Sequence, residues 1–388
     1  MSHLPPDHPL DLPDGWSVRS PGADDVARLL EIVRADDERG KGYTTSDPES
    51  IERDAIGIAS WTRRHALVVD PQGVVQGWST VHDRAAGRTR VLVTLAHDLP
   101  EADALAASLY AWGESFARQV GATRGLGTTR LDADAYAGDD RQRGWLEAAG
   151  YDHTRTWLHM SRPVAPDEAT SLPGPRAGVT VRRVAKHDNG LPVAGDIQTV
   201  HQVLEESFED HFNSYRESFP EFIARLREDT GHRWDHWWIA TIEVDGVTVP
   251  AGAVVSTVLG PDREGHEGSY IDYIGVHRHA RGMGVAKALL HTVIRDAAER
   301  GRNRVGLEVD ADSPTGADGL YESMGWVTTY RTESWHRDLD LAGSHGTRGP
   351  GEAADVPAVV PLVADHHTAD NGSADQSPAG GAPDEPVN

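Results

Sequence analysis

The part of this 388-residue chain best equipped for chemistry is Ile274-Gly-Val-His-Arg-His-Ala-Arg281-Gly282-Met283-Gly284-Val285-Ala286. Gly282 and Gly284 stand between a strand pattern and the first turn of a helix pattern. A helix start offers unpaired N–H groups and the positive end of the helix dipole, so a pyrophosphate can sit there without many lysines. Glycine lets the backbone approach closely, and Arg281 adds a fixed cation. By itself a Gly-x-Gly at a helix start is more often a tight turn. It is not a P-loop, which needs Gly-Lys-Ser/Thr, nor a Rossmann fingerprint, which needs a third glycine and a later acidic residue.

The flanking patterns supply the elements that must hold this segment. Ser269–Val276 reads as a strand. Beyond the glycines, Ala286, Leu289, Leu290, Val293, Ile294 and Ala297 fall on one apolar helical face that ends at Gly301. Upstream, a strand near Gly178–Val184 precedes helices near Ile197–Phe208 and Pro220–Glu228. Trp237–Val244 and Val247–Val258 read as a hairpin turning at Asp245-Gly246. Downstream come a strand at Arg304–Val309, a short helix around Tyr321 and a final strand pair. This order predicts an α/β or α+β layer around a mostly antiparallel sheet.

Composition narrows the partners. Sixty-one acidic against thirty-seven basic residues leave a net charge of −24, which repels phosphate backbones and anionic lipid, so neither nucleic acid nor membrane is an expected partner. There is no cysteine, hence no disulfide, thiolate nucleophile or Cys-type metal site. No apolar run approaches the roughly 18 residues that span a bilayer, and the N-terminus has no signal-peptide pattern. The expected setting is the cytoplasm. Only Lys41, Lys186 and Lys287 are lysines, a bias that suggests a GC-rich, bacterial genome.

Two punctuated segments divide the chain. Arg162 to Gly178 carries four prolines and no periodicity, which reads as a linker. From about Leu341 the composition cannot bury enough apolar surface to order itself. The blocks on either side of the linker look like copies. Val18-Arg19 and Val181-Arg182 open them at an offset of 163; Leu146-Glu-Ala-Ala-Gly150-Tyr151 and Tyr321-Glu-Ser-Met-Gly325-Trp326 close them at 175. A repeat this large is a duplicated domain. The expected divisions are an extension (1–15), a first domain (16–162), the linker (163–177), a second domain (178–340) and a disordered acidic tail (341–388).

Arg281-x-x-Gly284-x-Ala286, after a strand ending in valine and before an amphipathic helix, resembles motif A of the GNAT acyl-CoA N-acyltransferases. The run from Leu307 through Ser313, Tyr321 and Gly325-Trp326 resembles the family's motif B. The resemblance covers about Gly178 to Leu339; the first block shares the element order and the Gly150-Tyr151 ending. It implies two tandem GNAT-like domains, each a mixed, mostly antiparallel sheet flanked by helices, with acetyl-CoA as acyl donor and no metal. It further implies direct transfer to a small-molecule amine; the expected assembly is a monomer or homodimer. By position, the backbone of Ile274, Gly275 and Val276 would bond the pantetheine arm and polarise the acetyl carbonyl. The N–H groups of Arg281, Gly282, Met283, Gly284, Val285 and Ala286 would hold the pyrophosphate, and Tyr321 would protonate the departing thiolate. The plainer reading of Tyr321 is a half-buried helix tyrosine.

For the base that takes the amine's proton, Asp272 is the candidate, on one strand face with Tyr270 and Ile274 by alternation. Glu267 is the other, and a solvent-facing carboxylate is the plainer reading of both. Ser313 stands where the family usually has Asn at a pantetheine contact. In the first block Leu146 replaces the tyrosine and Ala96-His97-Asp98-Leu99-Pro100-Glu101 replaces the glycine loop, so that block is expected to be non-catalytic. A degenerate first half before an active second half is similar to mycothiol synthase and its relatives. Ser207 to Asn213 resembles that group's acceptor segment, but Asn213 and Tyr270 stand where those enzymes have glutamates, so the acceptor is a different one.

Other features carry less. Trp237 and Trp238 read as core and sheet packing rather than a stacking platform. The twenty histidines show no metal spacing. Gly121 to Gly127 precedes a strand, so the helix-dipole argument fails there. Against the transferase stands a CoA-binding sensor or interaction protein that kept the fold and lost turnover.

Overall fold

The computed structural model describes residues 10–341 apart from 58–59, 61–62, 85–86, 209–218, 229–231, 263 and 314–315. The expected acidic tail beyond Leu341 lies outside the described residues, as does the Asn213 end of the acceptor segment.

The first half runs β1 (Ser17–Arg19), α1 (Val26–Lys41), α2 (Pro48–Ala55), β2 (Arg63–Val69), β3 (Val75–Asp83), β4 (Arg88–Leu95), α3 (Ala102–Thr123), β5 (Thr128–Tyr136), α4 (Asp140–Ala148) and β6 (Asp152–Pro163). After the one-turn α5 (Glu168–Ser171), the second half repeats that order. It comprises β7 (Val179–Arg183), α6 (Ala194–Phe208), α7 (Phe219–Glu228), β8 (His232–Val244), β9 (Val247–Leu259), β10 (Gly268–Val276), α8 (Val285–Glu299), β11 (Arg304–Asp310), α9 (Ala317–Ser323) and β12 (Val327–Asp340). The matched block endings fold identically. Tyr151 N–H donates to the Leu146 carbonyl (3.0 Å) and Trp326 N–H to that of Tyr321 (3.1 Å). Gly150 (φ 77°) and Gly325 (φ 94°) take the left-handed step that this helix ending requires. Asp245 (φ 52°) and Gly246 (φ 78°) form the expected hairpin turn.

All twelve described strands join one sheet in the order β1-β2-β3-β4-β5-β12-β6-β11-β10-β9-β8-β7. Pairing is antiparallel except at β4–β5 and β10–β11. The centre is an exchange. β12, the last strand of the second half, pairs with β5 of the first, and β6, the last of the first half, pairs with β11 of the second. The expected final strand pair is instead one strand of 14 residues, whose neighbours β5 and β6 are both remote in sequence. β8 also starts earlier than expected, at His232 rather than Trp237.

Helices α3, α4, α8 and α9 cover one face of the sheet and α1, α2, α6 and α7 the other. The apolar stripe of α8 buries Leu289, Leu290, Val293, Ile294 and Ala297 against Val254, Ile271 and Leu307. Trp237 and Trp238 are buried in the cores on opposite faces, as the packing reading expects. The proline-rich segment is tied down: Arg295 of α8 donates to the Leu172 carbonyl (3.2 Å), and Leu172 packs on the α8 core.

Candidate active site

The site forms where parallel strands part. β10 and β11 pair over only three residues, Ser269, Tyr270 and Ile271 with Val305, Gly306 and Leu307. Beyond them β10 runs to Val276 bonded to β9 alone, so the other backbone edge of Ile274–Val276 faces a gap. Two close approaches shape β10 and its neighbour β9. A Cβ on Gly275 would lie 2.9 Å from Ser207 Cβ of α6, and one on Gly252 would lie 2.7 Å from Val285 Cγ1 of α8.

The loop after β10 ends in two left-handed residues, Gly282 (φ 82°) and Gly284 (φ 88°), and Gly284 is the N-cap of α8. No side chain caps this helix, so its first-turn N–H groups are open to a ligand. The amides of Arg281 and Met283 are turned to the carbonyls of Arg278 and Ala280, which leaves Gly282 and Gly284 to Ala286 as the better donors. Arg176, from the proline-rich segment, lies across the loop; a Cβ on Gly284 would meet its Cδ at 2.9 Å. Around Gly282 nothing lies within 4 Å of a Cβ, so the cradle is open there.

A cleft of about 480 Å³ unites these parts. It is lined by Ile274, Gly275, Val276, Arg281, Gly282, Gly284, Val285, Ala286 and Tyr321, nine of the residues picked out by sequence. It also takes Arg176 and Lys287, which the sequence reading did not select. Three cations thus face one helix N-terminus inside a protein of strongly negative net charge. These residues fit a pyrophosphate carried on an extended, partly apolar arm.

Tyr321 is 7% exposed and sits edge-on to Trp326, with ring centroids 6.0 Å apart. Burial pushes its phenol up to about 12. It therefore keeps its proton throughout the physiological range, as a proton donor must.

Three selected residues lie off the cleft lining. Met283 is on the outer side of the loop and exposed. Ser313 is in the turn before α9, where its N–H donates to the Asp310 carbonyl (3.1 Å). Asp272 occupies a bulge, since Ile271 pairs with Ser256 and Tyr273 with the adjacent Val255. That extra residue breaks the alternation. Ile274 packs on the α8 core, whereas Tyr270 lines a cavity on the opposite face, so these two do not share the face expected of them.

That second cavity, about 440 Å³, lies between the halves and is lined by Tyr43, Thr44, His159, Tyr270, Arg304 and Tyr330 among others. His159 of β6 stacks on Tyr330 of β12 (4.1 Å, 8°), and its Nε2 is 3.2 Å from Glu308 Oε2 of β11. Burial, then the charges of Glu308, Tyr330 and Asp272, push the Tyr270 phenol well up. Asp272 and Glu308 each follow the last β10–β11 pair, Ile271 with Leu307, where the two strands begin to part. In the first half Arg90 holds the position of Tyr270, and Asp134 that of Glu308. There the arginine reaches over and neutralises the acid at 2.8 Å.

The first half also lacks the anion cradle. Its α3 has 22 residues against 15 in α8, so helix occupies the place of the glycine loop. Trp145 Nε1 donates to Asp103 Oδ1 (2.8 Å), drawing α4 against α3. Leu146, in the position of Tyr321, is fully buried.

Residues 198–326 match the model of the Acetyltransferase (GNAT) family. The matched segment lies wholly in the second half and runs from α6 through the Gly325-Trp326 ending. Solved GNAT structures extend the likeness to both halves. A GCN5-related N-acetyltransferase from Sphaerobacter thermophilus superimposes with a TM-score of 0.65 at 22% identity, over 85% of this chain and 99% of that one. A tandem GNAT protein from the clavulanic acid biosynthesis pathway gives 0.59 at 16% identity, over 87% and 100%. At such identities the likeness is one of fold. That fold is a tandem α/β scaffold.

Proposed function

We propose that the second half transfers an acetyl group from acetyl-CoA directly to the amine of a small cytoplasmic molecule. The observation that carries this reading is the cleft in which Tyr321, the parted edge of Ile274–Val276 and the Gly282–Ala286 cradle meet. Acetyl-CoA would supply the activated thioester. The Gly282 and Gly284–Ala286 amides, with Arg176, Arg281 and Lys287, hold the pyrophosphate; the free edge of β10 bonds the pantetheine arm and polarises the carbonyl. Tyr321 donates its proton to the leaving sulfur and recovers one from the new amide nitrogen. Neither a metal nor a nucleic-acid partner enters this scheme.

The amine approaches from the cavity between the halves, on the far side of the gap. Its proton goes to the carboxylates there, Glu308 backed by His159, or Asp272 on the bulge. Unlike Asp134 in the first half, Glu308 faces no arginine at the position of Tyr270, which favours it. Glu308→Gln is expected to lower kcat by about 10²-fold or more and to flatten the acid limb of the pH–rate profile, with acetyl-CoA affinity unchanged. A steady-state pH profile of both proteins checks this.

Calorimetric titration of acetyl-CoA, followed by a thiol-release screen over an amine panel, tests the reading as a whole. Micromolar binding with amine-dependent thiol release supports it. Binding without release for any amine would turn it toward a CoA-responsive sensor, and no binding would end it.

A further inference from the structure

We propose that Arg162, which the first half delivers through the exchanged strand β6, is a positioning residue for Tyr321 in the second half. The proposal rests on Tyr321 being the proton donor described above. α9 is only seven residues long and has no side-chain cap at its N-terminus, so it needs tethers from outside. Its other end is held by the first half. Arg162 Nε donates to the Met324 carbonyl (2.7 Å), while the Met324 N–H donates to the Tyr321 carbonyl (3.0 Å). The same guanidinium lies 5.7 Å from the centre of the Trp326 ring, against which Tyr321 rests edge-on.

Arg162 is fixed in turn. Glu168 of α5 takes both of its terminal nitrogens, at 3.1 and 2.5 Å, and accepts from the Ala165 N–H (2.9 Å). That pairing holds the Glu168 carboxyl below the ordinary range. The chain Glu168–Arg162–Met324–Tyr321 thus ties the proline-rich segment and β6 to the proton donor through hydrogen bonds alone.

The duplication supplies an internal control. Arg337 of β12 stands at the mirror position, at the same offset of 175 as the block endings. It donates to the Ala149 carbonyl (2.8 Å) at the end of α4 and pairs with Glu114 (2.9 Å). The tether is the same, but α4 carries Leu146 where α9 carries Tyr321. If these arginines only stabilise the fold, removing either has the same consequence. If Arg162 positions the proton donor, only its removal touches the chemistry.

The test compares Arg162→Ala, Arg162→Lys and Arg337→Ala by acetyl-CoA calorimetry, hydrogen exchange and thiol release with the best amine of the panel. Arg162→Ala should speed exchange over 317–326 at least tenfold and lower kcat about tenfold, leaving acetyl-CoA affinity within twofold. Arg162→Lys, which keeps the charge without the planar fork, should recover part of the rate. Arg337→Ala should speed exchange over 140–151 and leave kcat unchanged. In a Tyr321→Phe background Arg162→Ala should cost nothing further. Unchanged exchange over 317–326, an equal kcat loss in Arg337→Ala, or an undiminished loss in the Tyr321→Phe background would overturn the proposal. Should Tyr321→Phe itself be fully active, the proton-donor reading fails instead, and the exchange data still report whether Arg162 holds α9.

Discussion

Replacing Tyr321 with phenylalanine is expected to lower kcat by about 10²- to 10⁴-fold, the range for removing a positioned proton donor, and to leave acetyl-CoA affinity nearly unchanged. The ring stays, so its edge-on contact with Trp326 and the α8–α9 core survive and the fold is not disturbed. Only the hydroxyl is lost, and it makes no hydrogen bond among the described residues. The pH dependence follows from burial. The phenol titrates near 12 in the folded protein and near 10 in the unfolded chain, so the folded state holds this proton more tightly. Stability from this group is constant below pH 10 and falls between pH 10 and 12. Activity should show no alkaline limb from this residue below about pH 11. Single-turnover thiol release and a pH–rate series on both proteins check the two parts.

The second large effect falls on the anion cradle. Gly284→Asp places a Cβ at φ 88°, forces it against Arg176 Cδ at 2.9 Å and sets a carboxylate at a helix N-terminus. Each charge-assisted contact to a phosphate contributes about 1.5–3 kcal/mol, so losing the cradle and one cation costs about 3 kcal/mol or more. The Kd for acetyl-CoA should rise at least 10²-fold. Arg176→Glu should weaken binding less but in the same direction, because Arg281 and Lys287 remain. Both losses should shrink for a pantetheine thioester that lacks the pyrophosphate. An equal loss for that truncated donor would place the phosphates elsewhere.

What was legible in the sequence was what is local. The face of α8, the glycine turn and the matched Gly150 and Gly325 endings are written in a few consecutive residues, and so is the hairpin at Asp245-Gly246. Most of the misses are long-range. Nothing near Val327–Asp340 says that its neighbours are β5 and β6, so a local strand pair was the natural expectation. The bulge at Asp272 is invisible to a period-two count, which puts Tyr270 and Ile274 on one face. Arg176 and Arg162 sit in a stretch whose prolines advertise only irregular backbone, and His159 meets Glu308 across 149 residues of chain. A single acidic residue at the right strand position carries no signal until its partner is known. The comparison of Glu308 with Asp134, one facing tyrosine and the other neutralised by arginine, required both halves in three dimensions.

The exchange of β6 and β12 also sets an order of events during synthesis. β5 and β6 emerge early, yet the strand that lies between them ends at Asp340, 177 residues after Pro163. At about 5–20 residues per second the ribosome needs roughly 9–35 s to make that stretch. For all of that time the facing edges of β5 and β6 are bare, and bare edges invite pairing with each other or with another nascent chain. If β5 and β6 pair early, β12 must pry them apart before the sheet can close. The half made first is therefore the half completed last, a consequence of the same exchange that brings β6 to the end of α9.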